Sequence, residues 1–144
     1  MRVSARTEYG CIAILELADR YGSDKPVRIR HIAERHGVPP RFLVQILLQL
    51  KGAGLVDSVR GAAGGYRLIL PPEEVSLGQV MEAVDAGSAA DEHQTAARPD
   101  SPLVKVLTGA WHEVTNVQRE MLSRITLSDL VDRSRARTEQ MYHI

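Results

Sequence analysis

The feature that most constrains the fold is a glycine-rich turn between two short segments of strand character. Leu55–Val59 precedes the turn and Tyr66–Leu70 follows it. Three glycines lie within five residues of each other: Gly61, Gly64 and Gly65. Short apolar or β-branched runs on both sides of such a turn predict a β-hairpin. Because Arg60 and Arg67 flank the turn, the predicted hairpin carries positive charge at both shoulders.

Three helices are predicted before the hairpin. The first spans about residues 7–21 and is apolar almost all round, which predicts a central, largely buried helix. The second spans Ile29 to His36 and stops at Gly37. The third runs from Phe42 to Lys51 and has one apolar, core-facing stripe, formed by Phe42, Leu43, Ile46, Leu47 and Leu50. Three helices and a basic hairpin, in this order, are typical of a winged helix-turn-helix, which binds duplex DNA.

Two further helices and a short last one are predicted after the hairpin. Ser76 and Gln79 have the spacing of a capping box, so the fourth helix starts there and ends near Gly87. Pro102 opens a long fifth helix, in which apolar residues recur at steps of three or four, as in a helix–helix seam: Leu103, Leu107, Ala110, Val114, Val117, Met121 and Ile125. Thr126 caps the last helix, and the polar tail from Arg133 is expected to fray.

These elements divide the chain into three parts and define its fold class. We expect a winged helix-turn-helix domain over residues 1–86, a flexible loop over residues 87–101, and a dimerisation helix with a C-terminal tail over residues 102–144. The loop is predicted because residues 87–101 show no hydrophobic periodicity. The fold class is mainly α with a small β-hairpin wing, that is, a winged helix-turn-helix plus a long dimerisation helix.

The composition limits the classes of protein to consider. Residues 1–70 contain 11 Lys and Arg and 6 Asp and Glu, a balance of +5, whereas residues 71–144 contain 7 and 12, a balance of −5. A basic half is compatible with nucleic-acid binding. No apolar run approaches the ~20 residues of a membrane span, and no secretory signal is visible. With Cys11 as the one cysteine, these absences predict a cytoplasmic protein without a disulfide within the chain.

The candidate DNA-binding residues lie on the third helix and the hairpin. Arg41, Gln45 and Gln49 point away from the apolar stripe; arginine pairs with guanine and glutamine with adenine, although phosphate contact or plain exposure is as plausible for any one of them. Arg60 enters the wing, where an arginine can insert into a narrow minor groove. Arg67 lies in a strand whose side chains alternate between two faces, so it points either toward DNA or away from it. Three glycines allow positive φ and close backbone approach to phosphates: Gly61, Gly64 and Gly65.

The same segments resemble a known family, the IscR/NsrR/CymR type of winged-helix regulators, or Rrf2 family. The resemblance covers nearly the whole chain and lies in Met1–Ser4, Tyr9–Gly10, Ile32–Arg35, Leu50–Val56, Ser58–Gly61, Gly64–Leu68 and Ile125–Leu130. It implies a bacterial homodimer that binds a palindromic operator in double-stranded DNA, usually as a repressor. The fifth helix would then form the dimer interface, through Leu107, Ala110, Val114, Val117 and Met121.

One departure from the family pattern concerns the cofactor. Many relatives hold an iron–sulfur cluster with three cysteines between the fourth and fifth helices, but residues 85–111 of this chain contain no cysteine. A cluster needs several thiolates or equivalent ligands, and Cys11 cannot replace three of them. Glu8 matches a position from which some relatives provide a non-cysteine ligand, but one carboxylate is not a cluster site. The chain thus resembles the cluster-free branch, and we expect no cofactor and no metal site.

Two alternatives to an operator-binding regulator stay open in the sequence. The first is a winged-helix module that docks protein partners and reads no operator; the charge division and Arg60 favour DNA instead. The second is an enzyme, but no nucleotide-binding loop, metal-ligand cluster or anchored Ser-His-Asp pattern is present. We therefore predict a regulator, not an enzyme, which responds to an effector of unknown chemistry, either a small molecule or a protein.

Overall fold

The computed structural model describes residues 1–86 and 95–142. Within them the chain forms six α-helices, one turn of 3-10 helix at Pro72–Glu74 and one antiparallel hairpin. The elements are α1 Ala5–Asp19, α2 Ile29–His36, α3 Pro40–Gly52, β1 Val56–Val59, β2 Gly65–Leu68, α4 Leu77–Asp85, α5 Pro102–Arg124 and α6 Leu127–Tyr142. The predicted fold class, mainly α with a hairpin wing, is confirmed. No helix of the described part is long and apolar enough to cross a membrane.

The helix ends follow local signals in the sequence. The Ser4 side chain accepts a hydrogen bond from the Thr7 backbone N–H at the start of α1. Gly37 takes the left-handed conformation, with φ of 70°, and ends α2 as predicted. Pro40 opens α3, where its missing N–H costs no hydrogen bond. The capping box of Ser76 and Gln79 at the start of α4 is present, as predicted.

Helix α1 is the centre of the core. It packs against α2, α3, α4, α6 and β2. Ile14 on α1 and Ile46 on α3 are fully buried, and so is Val84 on α4. Gly10 lets α1 and α4 approach closely, because a Cβ at this position would lie 2.6 Å from Val84 Cγ2. The four predicted core residues Leu43, Ile46, Leu47 and Leu50 of α3 are fully buried, whereas Phe42 is half-buried.

The prediction that α1 is apolar almost all round does not include a buried carboxylate. Glu16 is only 3% exposed. Its two oxygens accept hydrogen bonds from Arg35 Nη1 at 2.7 and 3.0 Å, and His31 Nε2 lies 3.0 Å from Oε1. A buried carboxylate is tolerated only with such partners. They come from α2, so they are remote in sequence from the carboxylate that they stabilise.

The prediction of a frayed tail after Arg133 is wrong. Helix α6 continues to Tyr142, and Arg135 Nη2 donates to the Asp19 side chain at 3.3 Å. The polar composition of this segment correctly indicates that it is exposed. It does not prevent helix formation, because arginine, alanine, glutamate and glutamine are good helix formers. Leu127 and Val131, at the start of α6, belong to the core around α1.

The predicted flexible loop lies mostly outside the described residues. Of residues 87–101, the segment 87–94 is not described, residues 95–98 have no regular structure and residues 99–100 form a turn. Ser101 precedes α5 without a side-chain capping bond. The division into residues 1–86, 87–101 and 102–144 stays a prediction.

Candidate DNA-binding surface

Helix α3 buries one face in the core and exposes the other. Arg41, Val44 and Gln45 are exposed on α3, and Gln49 is half-buried. The Arg41 guanidinium lies 5.0 Å from the centre of the Phe42 ring, which is a cation–π distance. Leu48, which is not among the predicted DNA-binding residues, is 55% exposed on the same helix. The outward orientation predicted for Arg41 and Gln45 agrees with this placement.

Arg6 of α1 reaches the polar face of α3. Its Nη2 atom donates a hydrogen bond to Gln49 Oε1, and its Nη1 atom lies 3.5 Å from Gln45 Oε1. The two glutamines are four residues apart, so they lie on adjacent turns of one helix face. One guanidinium from α1 thus contacts both glutamines predicted to read bases.

The hairpin is fixed to the core by one of its two faces. Val56 pairs with Leu68 across the strands, and both side chains are buried. Asp57 pairs with Arg67 on the opposite face, and both are exposed. Because side chains alternate along a strand, this register places Arg67 on the solvent face of the hairpin. Arg60 follows β1 directly and is exposed.

The three glycines of the wing have different physical roles. Gly61 has φ of 103°, a conformation that other residues rarely adopt. The N–H of Gly64 donates to Gly61 O at 2.9 Å and closes the turn. Gly64 does not have a positive φ, so the predicted reason is wrong for it; a Cβ there would overlap the Val59 carbonyl oxygen. A Cβ on Gly65 would overlap the carbonyl oxygen of Val27.

Two basic side chains support the wing from outside the hairpin. Val27 forms an isolated β-bridge with Tyr66, with both hydrogen bonds at 2.8 Å. The neighbouring Arg28 donates from Nη2 to the Ala62 carbonyl oxygen at the tip. Lys51 Nζ, at the end of α3, lies 2.6 Å from Ser58 Oγ on β1. Arg6 and Arg28 were not predicted in these roles, since such contacts join residues more than 30 positions apart.

Helix α5 carries an exposed apolar stripe along its length. None of its residues is buried in the single chain. The predicted interface residues are all exposed, and the large ones are each more than half exposed: Leu107, Ala110, Val114, Val117 and Met121. Leu103 is also exposed, but Ile125, predicted as the last residue of the seam, is half-buried and follows the end of α5. In a monomer this helix would hold a row of apolar side chains in water.

The residues that the structure describes do not fit an iron–sulfur cluster or another multi-ligand metal site. The described residues contain no group of three or more His, Cys, Asp or Glu side chains arranged to hold a metal ion. Cys11 is the only cysteine of the chain. Burial raises the pKa of the Cys11 thiol to about 11, and the carboxylates of Asp85 and Glu8 contribute to the rise. A thiol that resists deprotonation in this way is a poor metal ligand.

Comparison with known proteins identifies the family to which the chain is related. The Rrf2 family model, described as an iron-dependent transcriptional regulator, matches residues 3–133. The HTH-type transcriptional regulator IscR of Photobacterium profundum is 33% identical over 131 residues, 91% of this chain and 76% of the relative. The structure of CymR (YrzC), the global cysteine regulator of B. subtilis, has a TM-score of 0.75 at 27% identity and covers 92% of this chain and 97% of its own.

A second solved structure, T. potens IscR, has a TM-score of 0.75 at 32% identity and covers 93% of this chain and 88% of its own. Both solved structures share the fold of this chain over almost their full lengths. The matched region of the family model includes the whole of α3, the wing and α5. The chain therefore belongs to the Rrf2 family of helix-turn-helix transcription regulators, which bind DNA and are not enzymes.

Proposed function

We propose that this regulator binds a palindromic operator as a homodimer and represses transcription in the cytoplasm, without an iron–sulfur cluster. The main support for the proposal is the exposed face of α3, whose opposite face is buried in the core. Arg41, Gln45 and Gln49 contact base edges in the major groove. The wing contacts the minor groove and the phosphates through Arg60, Gly61, Gly64, Gly65 and Arg67. The signal is an effector, either a small molecule or a protein.

The proposal of a homodimer rests on α5. This helix has 23 residues, about 35 Å of length, and its apolar stripe is uncovered in one chain. Two copies packed through the stripe would bury Leu107, Ala110, Val114, Val117 and Met121 and present two recognition helices. A two-fold symmetric protein binds two half-sites related by the same symmetry, so the operator is expected to be palindromic.

The proposal of a cluster-free regulator rests on the ligand inventory. Residues 85–111 contain no cysteine, and Cys11 alone cannot hold a cluster. The purified protein is expected to be colourless, to lack iron and acid-labile sulfide, and to bind DNA equally after aerobic and anaerobic preparation. Iron assay and visible absorption measure this directly. A brown protein with a stoichiometric cluster would contradict the proposal.

The test of operator binding is selection of bound fragments from genomic DNA, followed by titration of the operator and a scrambled duplex. Arg60→Ala is expected to weaken binding and to lower the salt slope of log K by about one unit, because one groove or phosphate contact is lost. Arg98→Ala is the matched control, since Arg98 is exposed outside the winged domain. Equal affinities of the two variants would place the wing away from DNA.

A further inference from the structure

The starting observation is the contact of one guanidinium with two glutamine carbonyl oxygens. Arg6 is half-buried at the start of α1, and its two terminal nitrogens face Gln49 Oε1 and Gln45 Oε1. Gln45 is exposed, so the contact lies at the edge of the surface that is proposed to meet DNA. Arg6 is 39 and 43 residues away from the two glutamines in sequence, so only the fold brings these side chains together.

The chemistry of the guanidinium determines how the two amides are oriented. Arginine has five N–H donors and no acceptor, whereas a glutamine amide has an oxygen acceptor and an NH₂ donor. Only the oxygen can therefore face Arg6 favourably, and the NH₂ groups turn away from it. A flipped amide would place its own N–H groups against the guanidinium and lose the hydrogen bond.

This orientation changes what the glutamines can read. Paired recognition of adenine needs an oxygen that accepts from adenine N6 and an NH₂ that donates to N7. Guanine instead presents two neighbouring acceptors, O6 and N7, in the major groove. With their oxygens held by Arg6, Gln45 and Gln49 present donors outward. The expectation from sequence, that a glutamine here reads adenine, does not take this contact into account.

We propose that Arg6 is a positioning residue that orients the amides of Gln45 and Gln49 as donors and thereby selects guanine over adenine at the bases they read. The inference rests on the proposed function, since it needs α3 in the major groove. Arg6 acts through the glutamines and does not itself read a base. A plain phosphate contact by Arg6 is the competing outcome, and it would change affinity equally for every sequence.

The experiment is selection from a duplex library randomised across the half-site, with the whole protein. Gln45→Ala and Gln49→Ala first identify the positions that each glutamine reads, as the positions where preference is lost. At those positions the parent is expected to prefer guanine over adenine. Arg6→Met is expected to shift the guanine-to-adenine ratio about tenfold toward adenine, because each freed amide can then form the bidentate adenine pair.

Three variants separate orientation from charge and folding. Arg6→Lys keeps a donor without an acceptor, so it is expected to retain the parent preference. Arg2→Met removes one exposed N-terminal charge and is expected to leave base preference unchanged. Adding Arg6→Met to Gln45→Ala is expected to cause no further change at the position of Gln45.

The outcomes distinguish this inference from the proposed function. An Arg6→Met protein with parent base preference and uniformly weaker binding would overturn the positioning role and leave operator binding intact. A parent protein that prefers adenine at the glutamine positions would overturn it as well, even where Arg6→Met fails to fold. A parent that binds all sequences equally would overturn the proposed function itself.

Discussion

Cys11 illustrates how its surroundings determine the reactivity of a single side chain. Its thiol lies in a partly buried position on α1, and desolvation raises its pKa to about 11, with the carboxylates of Asp85 and Glu8 contributing to the shift. The reactive form of cysteine is the thiolate, which is a minor species at neutral pH under these conditions. This chemistry favours a core cysteine over a redox sensor.

Alkylation of Cys11 tests this assignment. At pH 8 the folded protein is expected to react with iodoacetamide much more slowly than the protein in urea, because unfolding returns the pKa toward its ordinary value of 9.0. The same shift makes the folded state less stable at alkaline pH: its contribution is fully present below pH 9 and is lost as pH rises toward 11. Cys11→Ala should remove this alkaline loss in urea titrations. Equal alkylation rates in both states would refute burial of the thiol.

The Glu16 cluster provides a stability test with a matched control. Glu16→Gln removes the charge that Arg35 and His31 face, and is expected to cost roughly 1–3 kcal/mol of the free energy of unfolding. Glu34→Gln breaks the exposed pair of Arg30 and Glu34, and is expected to cost less than about 1 kcal/mol. Urea denaturation followed by circular dichroism measures both. Equal losses of unfolding free energy in the two variants would mean that the buried Glu16 contacts stabilise the fold no more than an exposed ion pair does.

Helix ends that are set by capping residues next to them in sequence can be predicted from the sequence. Features that depend on contacts between distant residues are harder to predict. Helix α2 and the cap of α4 match the sequence prediction, because Gly37 and the Ser76 box act within one turn. The predicted length of α6 is wrong, because an exposed polar segment can still form a helix. The prediction that Gly64 needs a positive φ is also wrong. Glycine is required there because the backbone of the folded turn passes too close to Val59 for a Cβ, and the sequence does not show this contact.

Gly64→Ala tests the wing as a unit. The new Cβ would overlap the Val59 carbonyl, so the turn must open, at roughly 1–3 kcal/mol of local strain. Operator affinity is expected to fall about tenfold or more, while the circular dichroism spectrum of the helices stays unchanged. Ala62→Gly, at the exposed tip, is the control and should bind within about twofold of the parent. Full affinity in Gly64→Ala would show that wing shape is irrelevant to binding.

Across the whole molecule, the sequence predicts the individual elements more completely than the contacts between them. Periodicity located the α5 stripe, and the charge division predicts that residues 1–70 contact DNA, because both patterns are properties of the sequence itself. The contact of Arg6 with Gln45 could not be predicted, since it exists only after α1 and α3 pack together. In the proposed homodimer, operator recognition would also depend on a second copy, and the single chain indicates that copy only through the uncovered apolar stripe on α5.

Val117→Glu tests that second copy. Val117 is 63% exposed in one chain and lies in the middle of the stripe, so a charge there would be buried against its symmetry mate in a dimer. The parent is expected to be a dimer at micromolar concentration by light scattering, and Val117→Glu a folded monomer. Operator affinity should fall by at least about a hundredfold, because two half-sites must then be bound separately. Asn116→Glu, exposed on α5 and about 100° around the helix from Val117, should remain dimeric and bind as the parent does. A dimeric Val117→Glu protein would move the interface away from this stripe, and a monomeric parent would refute the homodimer altogether.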